Sequence, residues 1–320
     1  PVIKGGMKMN HNKYDTIIIG GGPGGYSAAL YCARANLKTL IIEKLYPGGQ
    51  MATTSMIDNY PGFDMGIDGV ELAGKMKSGA DRFGAETIFA EVTEVDMKGP
   101  EKIIRLADGN VLYTKTIVIA TGAAPRNLGL PYEKQLTGSG ISYCATCDGM
   151  FYKDKTVVIV GGGNSAAADA LILSKICKKV YLVHRHDTLK ASPTYMAPLE
   201  NASNLTFIWD SKIKEVLYDN KVTGVRLENL KDRSVSEIDC DGVFVAIGRM
   251  PNTKIFYGKI EMNPEGYIVA DETTRTSEPG VFAVGDLREK PLRQVVTATS
   301  DGAVASKFIE DYITHGFWKD

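Results

Sequence analysis

Two segments of the chain repeat each other: TIIIGGGPGGYSAALYCARANLKTLIIEK (Thr16 to Lys44) and TVVIVGGGNSAAADALILSKICKKVYLVHR (Thr156 to Arg185). Each reads as a short β-branched strand, a glycine turn, a helix rich in alanine and leucine, and a second apolar strand, which is a βαβ unit made twice. The first turn carries Gly20, Gly22 and Gly25, the second Gly161, Gly163 and Ala166, so both satisfy G-x-G-x-x-G/A between a strand and a helix. Without Cβ atoms such a turn admits a pyrophosphate, and the exposed N–H groups and positive end of the helix dipole hold its charge. The predicted fold class is therefore α/β, with two Rossmann-like dinucleotide-binding domains.

The end of each second strand is where a ribose edge lies in this fold, so the residue there reads the ligand. Glu43 stands 23 positions beyond Gly20, and His184 stands 23 positions beyond Gly161. Glu43 is an acceptor suited to paired ribose hydroxyls and repels a 2′-phosphate. His184, Arg185, His186 and Lys190 in HRHDTLK supply donors and positive charge, which favours a 2′-phosphate and hence NADP. One chain is expected to hold two different dinucleotides.

IVIATGAAPR (Ile117 to Arg126) and VFVAIGRMPNT (Val243 to Thr253) each read as a strand followed by glycine and proline. They are expected to be the two connections between domains, making the second domain an insertion: residues 1–123 with 251–320, and residues 124–250. At 320 residues the chain has room for two domains at about 150 residues each. Lys plus Arg (37) nearly balances Asp plus Glu (38), which argues against a surface built for nucleic acid. No apolar run approaches the roughly 18 residues of a spanning helix, so no membrane role is expected. PVIKGGMKMNHNKYD has no apolar segment of secretory type, and the odd count of five cysteines fits a reducing compartment, the cytoplasm.

YCATCDG (Tyr143 to Gly149) places Cys144 and Cys147 two residues apart. The pair fits half a zinc site, a structural crosslink or a working dithiol. Structural zinc usually needs four ligands, and Cys32, Cys177 and Cys240 are singletons, so no metal is expected; His184-x-His186 lacks the required partners too. A structural disulfide closing so short a ring removes little chain entropy. A redox dithiol is the reading that remains. Cys32 and Cys177 are expected inside the two βαβ helices as small buried hydrophobes.

Taken together, GGGPGG, GGQMATTSMIDNYPGF, ATGAAPR, YCATCDG, GGGNSA and GVFAVGD followed by RQV resemble the low-molecular-weight thioredoxin reductases over essentially the whole chain. The resemblance implies FAD in the domain built from both chain ends, NADPH in the inserted one, and thioredoxin as the disulfide substrate. It places Gly20, Gly22, Pro23, Gly24 and Gly25 at the FAD pyrophosphate, and Glu43 and Lys44 at its ribose. Gly48, Gly49, Gln50, Asn59, Val92, Thr121 and Gly122 follow, with Gly285, Asp286, Arg293, Gln294 and Val295 closing the site. Gly163, Asn164, Ser165 and Ala166 are implied at the NADPH pyrophosphate, with His184, Arg185, His186 and Lys190 beyond it. Cys144 and Cys147 are implied as the redox pair, with Asp148 as proton donor or acceptor. Rotation of the inserted domain about hinges near residues 123–126 and 248–252 is implied as well, as is a homodimer. The C-terminal IEDYITHGFWKD holds no second redox pair, and the third domain of larger disulfide reductases is not expected.

The chain departs from the family's H-R-R-x-x-x-R signature at His186 and Lys190, and a neutral imidazole does not replace a guanidinium fork. A thioredoxin reductase fed by another donor such as ferredoxin, and a flavin-dependent dithiol oxidase, are the alternatives. A noncatalytic FAD-binding redox sensor is the third.

Overall fold

The computed structural model describes residues 13–54 and 56–316. Most of the N-terminal stretch read for a leader, Ser55 and the last four residues of the C-terminal stretch lie outside the described residues. The chain divides into two units: Pro1–Ala124 with Pro251–Asp320, and Pro125–Met250.

In the first unit β1 (Lys13–Ile19), α1 (Pro23–Arg34) and β2 (Thr39–Glu43) form the expected βαβ arrangement. After α2 (Gly69–Asp81) come β3 (Glu86–Phe89), β4 (Val92–Asp96), β5 (Lys102–Leu106) and β6 (Val111–Ile119). β3, β2, β1 and β6 are parallel neighbours in that order. β6 is long enough to take two partners on one side: β5 antiparallel at its start and β17 (Val281–Ala283) parallel at its end. The long α7 (Val295–His315) follows β17.

The central strands are apolar throughout because both faces of the sheet are covered. Ile17 and Ile19 of β1 pack with Leu40, Ile42, Ile117 and Ile119 on one face. Ile18, between them, faces the other way with Ile41 and Val118, against Ala28, Ala29 and Cys32 of α1 and Ala305 and Ile309 of α7. The small residues of α1 let it lie close over the strand ends. Burial pushes the Cys32 thiol up to about 12, which leaves it an inert packing residue.

In the second unit β8 (Ile141–Ser142), β9 (Thr156–Val160), β10 (Lys179–Val183), β11 (Leu205–Ile208) and β15 (Gly242–Val245) form a parallel sheet in the order β11-β10-β9-β15-β8. Short helices α3 (Glu133–Leu136) and α4 (Ala145–Asp148) precede β9, α5 (Asn164–Ile176) crosses from β9 to β10, and α6 (Met196–Glu200) precedes β11. An antiparallel meander of β12 (Ser211–Tyr218), β13 (Val222–Asn229) and β14 (Val235–Asp239) covers one face through Val158, Val160, Val225 and Leu227. α5 covers the other through Ala166, Ala170 and Leu173 against Val157 and Ile159. Cys177 corrects the reading above: α5 ends at Ile176 and Cys177 is its C-cap, its N–H donating to Leu173 O at 2.8 Å. Its thiol is nevertheless buried and pushed up to about 11.

The two connecting segments are the extended β7 (Ala123–Pro125) and β16 (Arg249–Pro251), which pair with each other. Each end is tied within its own unit: Asn252 N–H donates to Gly122 O at 2.9 Å, and Arg126 N–H donates to Gly248 O at 2.9 Å.

The turns are built alike. A Cβ on Gly20, which has φ +109°, would lie 2.4 Å from Ala120 O, and one on Gly161 would lie 2.3 Å from Ala246 O. Gly25 is tighter still, since its Cβ would lie 2.0 Å from Gly20 O, while the matching Ala166 of the second unit does carry a Cβ. Gly25→Ala is expected to destabilise the protein by about 1–3 kcal/mol, the usual range for overpacking, whereas Ala166→Gly is expected to be far milder. Urea unfolding followed by circular dichroism checks this; equal midpoints for Gly25→Ala and the unchanged protein would contradict it.

Candidate active site

α1 begins directly at the first turn with Gly22 as N-cap, no side-chain cap and no acidic residue in its first turn. A Cβ on Gly22 would meet no atom within 4 Å, so the space in front of the first N–H groups is open. Open, uncapped donors at the positive end of a helix fit a phosphate. Glu43, at the end of β2, is fixed against this turn: its carboxylate accepts from Gly21 N at 2.6 Å, Lys44 N at 2.8 Å and Leu45 N at 3.1 Å. Lys44 pairs with Glu91 at 2.6 Å, next to Val92 at the start of β4. Gly48 N–H donates to Gly21 O at 2.7 Å and returns the following loop, with Gly49 and Gln50, to the turn.

The later candidates of this unit make contacts of their own. Asn59 donates to the Gln294 side chain at 3.0 Å although they are far apart in sequence. Thr121 donates its hydroxyl to Asn252 O at 2.7 Å, beside Gly122. Arg293 lies over the Tyr267 ring at 4.2 Å and donates to Asp286 O at 3.1 Å. Gln294 and Val295 start α7, where Gln294 is the N-cap in a reciprocal capping box with Thr297.

The second unit repeats the plan. Gly163 is the N-cap of α5, again with no side-chain cap and no acid in the first turn, and a Cβ there would meet nothing within 4 Å. Asn164 accepts from Ser192 N at 2.7 Å, while Ser165 and Ala166 continue the first turn of the helix. His184 stands to Gly162 as Glu43 does to Gly21: a Cβ on Gly162 would strike its ring at 2.0 Å. His184 is 7% exposed, and its Nε2 has no hydrogen-bond partner. Burial first, then its neighbours His186 and Arg185, hold it below the usual imidazole range, so it is neutral at neutral pH. Arg185, His186 and Lys190 are exposed, and the Lys190 N–H donates to Gly162 O at 2.7 Å, folding their loop back over the turn.

Cys144 and Cys147 are joined as a disulfide. Cys144 is the N-cap of α4, its sulfur accepting from the Cys147 N–H at 3.2 Å. A sulfur at a helix start is favoured as thiolate by the N–H groups aimed at it. Ser142, at the end of β8, joins two parts of the motif: its Oγ accepts from Cys144 N at 3.1 Å and donates to the Asp148 carboxylate at 2.6 Å. Burial raises the Asp148 carboxyl above its ordinary value, and the Ser142 hydrogen bond opposes that only in part.

Sequence reasoning did not single out Ser142, nor the buried Glu133 beside this motif. Glu133 accepts from Leu128 N at 2.7 Å, Gly129 N at 2.8 Å, Leu130 N at 3.3 Å and Tyr143 Oη at 2.8 Å. It thereby fastens the residue preceding Cys144 to the loop that follows β7. No local pattern announces such a hub, since an acid within PYEKQL reads as an ordinary solvated helix residue.

Residues 14–302 match the family described as pyridine nucleotide-disulphide oxidoreductase. The chain is 46% identical over 308 residues to a thioredoxin reductase of Listeria monocytogenes, covering 96% of each. It is 44% identical over 301 residues to the thioredoxin reductase of Bacillus subtilis, covering 94% of this chain and 95% of that one. Among solved structures, thioredoxin reductase from Streptococcus pyogenes superposes with a TM-score of 0.89 at 43% identity, over 95% of this chain and 99% of that one.

Two measurements test the local geometry. Glu133→Ala orphans three N–H groups, so amide exchange at residues 128–130 is expected to speed by about tenfold or more, and Tyr143→Phe is expected to leave them protected; equal protection in both variants would contradict the hub. For Asp148 the folded pKa lies above the ordinary 3.8, so as pH rises the unfolded chain ionises first and this residue's contribution to stability falls through the window above 3.8. Asp148→Asn is expected to flatten that fall in urea midpoints measured on the oxidised protein, and an unchanged pH slope would contradict the assignment.

Proposed function

The chain belongs to the pyridine nucleotide-disulphide oxidoreductase family, and we propose that within it the chain is a thioredoxin reductase, taking electrons from NADPH and delivering them to the disulfide of thioredoxin. One observation carries the reading: a disulfide at a helix start, with a half-buried carboxylate hydrogen-bonded beside it, in a chain holding two open glycine turns. The first unit, with Glu43 at the sugar position, holds FAD; the second, with Arg185, His186 and Lys190 near the turn, holds NADPH. When bound, FAD supplies the two-electron carrier between nicotinamide and disulfide.

The residues of the chain do the rest. Reduction of the Cys144–Cys147 bond consumes two electrons and yields two sulfur groups that share the incoming protons. One thiolate attacks the disulfide of the partner, forming a mixed disulfide and expelling one partner sulfur. The second cysteine then displaces the other partner sulfur, which re-forms the Cys144–Cys147 bond. Asp148, whose carboxyl burial raises above its ordinary value, donates to a departing thiolate and recovers the proton in the reverse sense, while Ser142 fixes its orientation.

Ferredoxin as the donor is the second reading, favoured by the neutral His184 and by His186 and Lys190 standing where the resemblance expects arginine. Buried free thiols at Cys32, Cys177 and Cys240 support a reducing compartment, so we place the protein in the cytoplasm. Among the described residues no helix is long and apolar enough to cross a membrane. A homodimer completes the proposal, and sedimentation checks it.

Anaerobic titration of the flavin-loaded protein separates the donors. NADPH is expected to bleach the flavin at lower concentration than NADH and to sustain thioredoxin reduction; bleaching by reduced ferredoxin alone would replace NADPH as donor. Cys144→Ser and Cys147→Ser are expected to abolish thioredoxin reduction while flavin bleaching persists, and Asp148→Asn to slow it by about a hundredfold, the low end for general acid–base assistance. Thioredoxin reduction by the double cysteine variant would contradict the relay.

A further inference from the structure

A buried charge cluster lies in the first unit at a site that no motif marks. Asp301 of α7 and Arg288 are 7% and 4% exposed, and the Lys290 side chain is 5% exposed. A single oxygen of Asp301, Oδ2, accepts from Arg288 Nε at 3.1 Å, Lys290 Nζ at 2.6 Å and the Gly285 N–H at 2.8 Å. Arg288 also donates to Ala270 O at 3.2 Å and to Asp271 O, and Lys290 to Thr297 O at 3.3 Å. The other carboxylate near Arg288, Glu272 at 3.9 Å, is fully exposed and offers a screened interaction. Two desolvated cations thus share one carboxylate. Burying ions is expensive and often repaid poorly in stability, so the arrangement points to a geometric role.

What it holds in place is specific. Gly285, at φ +80°, gives its N–H to Asp301 and is followed by Asp286. The next residue of α7, Gly302, meets the other end of the unit: a Cβ there would lie 2.3 Å from Gly24 O and 2.6 Å from Ala28 N. Gly24 in turn approaches Gly285, since its own Cβ would lie 3.6 Å from Gly285 N. Residues 301 and 302 therefore clamp the glycine turn of α1 and the Gly285–Asp286 turn together, although these come from opposite ends of the chain.

We propose that Asp301, paired with both Arg288 and Lys290, is a positioning residue for FAD, setting the Gly285–Asp286 turn against the start of α1 through its hydrogen bond to the Gly285 N–H. The proposal rests on the reading of this unit as the FAD site. Asp301 acts through the peptide and does not itself touch the cofactor.

Two double variants separate this bond from the charge. D301N/K290M and D301L/K290M each remove one carboxylate and one ammonium, so both keep the net charge of the native cluster, but only asparagine retains an oxygen to accept from Gly285. FAD is stripped from each protein and from the unchanged chain, and rebinding is followed by flavin fluorescence, with circular dichroism as the check on folding. D301L/K290M is expected to bind FAD about tenfold or more weakly, the loss that follows from a buried N–H left without its acceptor, while D301N/K290M stays within about threefold of the unchanged chain. Equal affinity in both variants, whether native or weakened, would overturn the proposal, because affinity would then not track the Gly285 bond. Unfolding of the leucine variant together with native affinity in the asparagine variant keeps the bond as the determinant; unfolding of both assigns the cluster to stability alone and overturns it. Failure of the unchanged chain to rebind FAD would instead overturn the reading of the unit as an FAD site.

Discussion

Both units depend on one close approach: the first glycine of each turn lies under a carbonyl just past the end of the neighbouring strand, Ala120 for Gly20 and Ala246 for Gly161. A side chain at either position would drive the turn off the sheet. Because the backbone can come that close, each helix starts directly above the strand ends with its first N–H groups uncapped and open, which is the requirement for holding a dinucleotide phosphate. The same carbonyls directly follow the strands that lead to the connections between units, since Ala120 precedes Gly122 and Ala246 precedes Gly248. The contact that makes each ligand turn thus also orients the segment by which the chain leaves or re-enters its sheet.

The duplication clarifies how one scaffold acquires two ligand preferences. The middle glycine of each turn faces the residue at the end of the second strand, and that residue's chemistry differs: the Glu43 carboxylate accepts the Gly21 N–H, while the neutral His184 ring lies against Gly162 with an unpartnered nitrogen. The placement is shared, while a carboxylate in one unit gives way to an uncharged imidazole in the other. The redox motif adds a third element to the second unit, with Ser142 and Asp148 carried on the strand end and helix that bracket the cysteines.

Much of this was legible in the sequence because it is local. Glycine spacing reports a backbone requirement, strand-to-strand spacing reports register, and Cys-x-x-Cys states its own proximity. The antiparallel meanders, β4 and β5 in one unit and β12 to β14 in the other, were not legible, since their strands alternate between apolar and polar residues like many surface loops. Cys177 was placed one residue too far into its helix because helix ends follow from capping geometry, which apolar pattern does not encode. Glu133 and Asp301 were missed for a deeper reason. Each is an acid whose meaning comes from donors gathered by folding, namely consecutive loop amides for one, and Gly285, Arg288 and Lys290 for the other.

The central claim is that the Cys144–Cys147 bond is an electron store in line with the flavin. Its most direct test is an anaerobic titration with dithionite, which counts electrons without involving either the nicotinamide donor or thioredoxin. The account predicts that the flavin-loaded protein takes up two more electrons per flavin than its Cys144→Ser/Cys147→Ser variant before the titration ends. An equal count in the two proteins would contradict it.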